Sequence, residues 1–204
     1  PDDVLLLNSL GFAHLRSGDV ARAIELLERA CALDGATARE HVNLAQAYAE
    51  AAKRQPGRRS DALAQLARAI QLDPDSWSAY SFQGFLHHGW QQRELALEAW
   101  KRAAEIDPDH VDTLINLALV QKELLRLDDA VATFERALEA DPTSSRASVF
   151  LADLHGEMGR LQDAASVLHA ALDVLLQIRG EEHAETRAVQ GRLDEVRRRI
   201  AEEG

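Results

Sequence analysis

The chain has 204 residues, of which 46% are hydrophobic and 28% charged, a globular balance with enough apolar material for a sizeable core. Aromatics contribute only 5%, and there are few glycines and prolines, so Ala and Leu must fill the interior. That favours close-packed helices over strands, which call for more β-branched and aromatic residues. The formal charge of −11 repels phosphate and removes nucleic acid and anionic membrane surfaces as default partners.

Pro1-Asp2-Asp3-Val4 lacks both a basic leader and an initiator Met, so a fragment or processed form is expected. Asp2 or Asp3 is placed to cap a first helix. Leu5-Leu6-Leu7 is more apolar than an outermost helix needs, and something is expected to cover it. Leu10-Gly11 followed by His14 marks that helix, and Gly18-Asp19 marks its turn into a second. The lone Cys31 suits a reducing, cytoplasmic setting and reads as a small apolar packing residue. Further along, Leu44-Ala45 with Tyr48, Gln83-Gly84 with His87, Leu117-Ala118 with Gln121 and Leu151-Ala152 with His155 repeat the first marker.

A different marker alternates with it. Ala62, Leu66 and Ala69 precede Pro74, Ala96, Trp100 and Ala103 precede Pro108, and Ala130, Phe134 and Ala137 precede Pro142 at the same offsets, the prolines standing 34 residues apart. Small, large, small at spacings of four and three is one face of a helix, and each proline stops it. Near the end, Val189, Leu193, Val196 and Ile200 form one apolar stripe, with Arg187, Arg192, Arg197, Arg198 and Arg199 mostly elsewhere. That segment, about 184–202, reads as a helix capping the exposed end of a stack. No apolar run approaches the roughly 20 residues that span a bilayer.

These offsets resemble the tetratricopeptide repeat family, whose pattern is W/L-x2-L-G-x2-Y, then A-x3-F-x2-A and a late Pro. The resemblance covers copies at 4–37, 38–76, 77–110, 111–144 and 145–178. It implies an all-α, right-handed α-solenoid of about five helix pairs plus a capping helix, as a single domain over 1–204. Departures are local. Gly35 replaces the late Pro of copy one, and five extra residues around Lys53-Arg54-Gln55-Pro56-Gly57-Arg58-Arg59 lengthen the turn of copy two. In copy five Leu176 takes the Pro position, so its second helix is expected to run on to Gly180. The following Glu181-Glu182-His183-Ala184-Glu185-Thr186 resembles the G-x-x-H-P-x-T linker of kinesin-light-chain-like members, with Ala184 for the Pro.

In that family the first helix of each pair lines a concave groove. The equivalent positions here are Leu5, Asn8, Phe12 and Arg16, then Arg39, Val42, Asn43, Gln46 and Glu50. Copy three supplies Ser81, Phe82, Phe85 and His88, copy four Asp112, Ile115, Asn116, Leu119 and Lys122, and copy five Arg146, Val149, Phe150 and Asp153. Four of the five Phe residues fall on this face. A protein or peptide partner with apolar anchors is therefore expected. No run of three copies supplies the Lys, Asn and Arg set of the chaperone-tail clamp. Self-association through the Leu5-Leu6-Leu7 end, or service as the targeting arm of a larger enzyme, are the alternatives.

Other groupings read as structural. His87-His88 and His110 do not converge as metal ligands at i and i+4 would, while His14, His87 and His155 occupy the repeat's packing-ring position. There is no G-x-S-x-G elbow, phosphate loop or H-E-x-x-H. No catalytic residue, cofactor or metal is expected, and no membrane insertion. Lys53, Arg54, Arg58 and Arg59 read as a solvated loop, or as a contact for an acidic partner.

Overall fold

The computed structural model describes residues 3–203; Pro1, Asp2 and Gly204 lie outside them, and with them the alternative cap at Asp2. Among the described residues there are eleven helices and no strand. They are α1 (Val4–Ser17), α2 (Val20–Cys31), α3 (Ala38–Ala52), α4 (Arg58–Leu72), α5 (Trp77–Gly89) and α6 (Arg93–Ile106). Then come α7 (Val111–Glu123), α8 (Leu127–Ala140), α9 (Ser145–Glu157), α10 (Leu161–Arg179) and α11 (Ala184–Glu203). The repeats expected as one domain gather into two compact units, Pro1–Ile106 and Asp107–Gly204.

In the first unit α1/α2, α3/α4 and α5/α6 are antiparallel pairs, with α3 also against α2 and α5 against α4. Asp3 accepts a hydrogen bond from the Leu6 amide at 2.9 Å and starts α1. Glu40 Oε2 takes both the amide (2.9 Å) and the hydroxyl (2.6 Å) of Thr37 at the start of α3. Ala23, Leu27, Ala62, Leu66 and Ala69 are wholly buried between the pairs. Each such Leu stabilises the stack by about 1.5–3 kcal/mol, because its side chain leaves water completely. Gly84 gives α5 its close approach to α6: a Cβ there would lie 2.7 Å from Trp100 Cδ1 and Nε1.

In the second unit α7/α8 and α9/α10 repeat the pairing, and α11 lies on α9 and α10. Ala130, Phe134 and Ala137 are wholly buried, as are Ala164 and Leu168 at the same offsets in α10. Helix α10 continues through the missing proline to Arg179 and stops at Gly180. The stripe on α11 is the capping face: Val189, Leu193 and Val196 are buried against Ala152, Leu168 and Leu172, with Ile200 partly covered. Arg192 on the other flank donates to Asp153 at 2.6 Å, and Arg199 reaches the Gly156 carbonyl.

One turn recurs in both units. Gly18, Gln91, Leu125 and Gly159 all have positive φ, at 87°, 63°, 60° and 75°. In each case the next residue's amide returns to a carbonyl in the preceding helix, as from Arg126 to Gln121 and from Arg160 to His155. The last three αL positions are again 34 residues apart. Two of them lack glycine, so the chain holds Gln91 and Leu125 in a conformation that side chains disfavour.

Candidate functional site

The first-helix positions that the family pattern puts on the groove are placed differently from copy to copy. Several of their polar side chains pair with a residue about one repeat away. Asn43 donates to Asn8 at 2.8 Å, Arg146 to Asp112 at 2.8 Å and Lys122 to Glu157 at 2.6 Å, while Asp153 receives Arg192 of the capping helix. Val42, 5% exposed, and Ile115, 1% exposed, lie in the core rather than on a face; α3 is flanked by α1, α2, α4 and α5, and α7 packs along α8. Asn8 is buried as well. Asn116, Leu119 and Val149 are half-buried, and Phe150 rests on Phe134 with ring centroids 6.1 Å apart and the Arg146 guanidinium over it. Arg39 borders a separate polar hollow with Thr37, Asp73 and Ser78.

The first unit is different between α3 and α5. Gln46, Ala49 and Glu50 face Phe82, Phe85, Leu86 and Trp90 across a cleft of about 500 Å³, with Leu15 of α1 at its back. Phe82 and Phe85, one turn apart on α5, stack with centroids 5.9 Å apart and planes at 15°. Phe85 is 61% exposed, an unusual position for a large aromatic in a stacked helical protein. Its ring forms an apolar shelf with Phe82 beneath it. Phe12, though exposed, is not part of this lining, and His88 turns instead toward Trp100, 5.6 Å away.

The five-residue insertion of copy two closes one side of the cleft. Lys53 and Arg59 belong to the lining; Lys53 pairs with Glu50 at 2.6 Å, and the Arg59 guanidinium lies 5.2 Å over the Trp90 ring. Trp90 meets His87 edge-on at 6.0 Å. Behind the rim, Arg58 is held by Asp61 at 2.9 Å and lies over Tyr48, whose hydroxyl donates to Glu28 at 2.5 Å. Burial and that bond to the Glu28 carboxylate hold the Tyr48 phenol above its ordinary pKa, so it stays a donor and anchors the rim's base.

Trp90, Leu86 and Leu15 were not expected in the site. Trp90 lies past the end of α5, beyond the positions that face the groove in the family pattern. The available signal was the insertion itself, since an extra loop must lie against something and the nearest apolar surface is this one.

Two family models described as tetratricopeptide repeat match the chain, over residues 126–177 and 91–145. No curated protein matches it by sequence. Among solved structures, a crystal structure of MamA protein is similar at TM-score 0.70 and 21% identity, covering 89% of this chain and 96% of that one. A second, described as crystal structure of MamA, has TM-score 0.66 and 22% identity over 80% and 92%. MamA RS-1 ArsTM double mutant follows at 0.69 and 16% over 88% and 98%. At these identities the likeness is one of fold. The repeat fold supports a protein-interaction or scaffold role. Helix pairs recur at the expected 34-residue step, and across residues 91–177, where the repeat models match, the chain carries tetratricopeptide repeats.

Proposed function

We propose that this chain is a non-catalytic scaffold that binds a partner segment through apolar anchors seated in the α3/α5 cleft. The observation that carries the reading is the stacked Phe82–Phe85 shelf, with Phe85 held out toward solvent in a concave, mostly apolar site. Much of the Phe85 ring stays in water, whereas covering it with a partner's Leu or Phe removes apolar area from water at about 25 cal/mol per Å². Phe82, Phe85 and Gln46 would contact the partner, and Val42, Asn8 and Asn43 would hold the wall behind them. In the second unit Lys122, Arg146 and Asp153 are already paired with Glu157, Asp112 and Arg192, which favours placing the anchor in the first.

A pull-down with Phe82→Glu and Phe85→Glu together is expected to lose the partner while circular dichroism stays unchanged. Retained binding by a folded double variant would remove the cleft as the site. A second reading, self-association through α1, is favoured by the exposed Leu5, Leu6 and Leu10. Light scattering over a range of concentrations separates the two, since a monomer at every concentration rules out that reading.

A further inference from the structure

We infer that the cleft's occupant is an acidic peptide segment, in which a carboxylate flanks the apolar anchor and sits on Arg59 and Arg54 of the insertion. This rests on the reading of the cleft as a partner-binding site and names the chemistry that site selects. Residues 53–59 hold four basic side chains and no carboxylate, in a chain whose net charge is −11. Two of them, Lys53 and Arg59, line the aromatic cleft, and all four arrive on the segment the other repeats lack.

Of those four cations, two are already committed: Lys53 to Glu50 and Arg58 to Asp61. Arg54 is exposed and meets no carboxylate among the described residues. The Arg59 guanidinium lies over the Trp90 ring at the cleft wall, and no ion pair among the described residues uses it. Its N–H donors suit a carboxylate, which they can meet with two parallel bonds. The contact with Trp90 also fixes the side chain beforehand, which lowers the entropy lost when an acid docks. An anchor on Phe85 would bring the next residues of the segment past Arg59. A neutral or basic neighbour there would face an unpaired cation, which supplies discrimination as well as attraction.

The test is selection of a random peptide phage library on the immobilised full chain, followed by affinities of the enriched peptides as synthetic, labelled probes. Enriched peptides are expected to pair Leu, Phe or Trp with Asp or Glu. Arg54→Gln with Arg59→Gln should then weaken them about tenfold, as should Asn or Gln in place of their acids, and high salt should erase the difference. Apolar peptides without acids, lost on Phe85→Ser but indifferent to the two arginine substitutions, would overturn this inference and leave the cleft reading standing. Failure to enrich any peptide, or peptides indifferent to Phe85→Ser, would overturn both. Circular dichroism checks that each variant is folded; Arg54, Arg59 and Phe85 are all exposed.

Discussion

Replacing Gly84 by Ala should destabilise the first unit, although Ala is the better helix former. A Cβ at this position would meet Trp100 Cδ1 and Nε1 at 2.7 Å and Cδ2 at 2.8 Å, where ordinary contact begins at 3.4 Å. Trp100 cannot swing aside freely, because it is buried and its Nε1 donates to the Ser81 carbonyl at 3.0 Å. The helix gains about 1 kcal/mol from the substitution. Against that stand about 1–3 kcal/mol of overpacking and about 1 kcal/mol if the indole bond is lost. A net loss of about 1–2 kcal/mol should therefore appear in urea melts followed by circular dichroism. Gly191 on α11 is the control: nothing lies within 4 Å of its added Cβ, so Gly191→Ala should gain about 0.5–1 kcal/mol. One repeat beyond Gly84 and Trp100, the same two positions hold Ala118 and Phe134, both wholly buried. Trp100→Phe should accordingly rescue part of the Gly84→Ala loss, giving a coupling of about 1 kcal/mol in a double-mutant cycle. If Gly84→Ala proves as stable as the parent, the close-approach account of the α5/α6 pair is wrong.

Leu125→Gly should raise stability by about 0.5–1 kcal/mol in the same melts, since Leu125 has φ of 60° and is 83% exposed, leaving strain to relieve and little packing to lose. Arg192→Ala should cost about 1–2 kcal/mol and speed amide hydrogen exchange in α11 first, because the half-buried Asp153 loses its partner there. The Cys31 thiol is pushed up to about 12 by burial, then by the Glu40 and Glu28 carboxylates, so iodoacetamide at mildly alkaline pH should label it far more slowly than the urea-unfolded chain. With the folded value above the unfolded one, its contribution to stability is complete below about pH 8.5 and is lost as pH rises from there toward 12. Cys31→Ala should flatten that alkaline fall.

The helices were legible because their signal is steric and local. An Ala–large–Ala face and the proline behind it state where a helix packs and where it ends, and α4, α6 and α8 stop within two residues of Pro74, Pro108 and Pro142. The turns were half legible: Gly18 and Gly159 announce a left-handed residue, whereas Gln91 and Leu125 adopt one with no compositional cue, forced by the packing of the helices on either side. The groove was least legible. Assigning a side chain to an inner face says nothing about what lies opposite it, and that partner is contributed about 35 residues away, as Asn8 is for Asn43. Phe82 and Phe85 stayed available because α3 presents Gln46 and Ala49 toward them, leaving a gap instead of a bond.

The backbone of the inserted segment closes on itself. The amides of Arg54 and Gln55 return to Ala51, that of Arg58 to Gln55 and that of Arg59 to Pro56. Its exposed cations, Arg54 and Arg59, can therefore be exchanged without disturbing the interleaved alanines and leucines that keep the helices together. On the proposed reading, choice of ligand would rest on this insertion and durability of the framework on the repeats, so new associates could be acquired by rewriting the insertion while the architecture stays as it was.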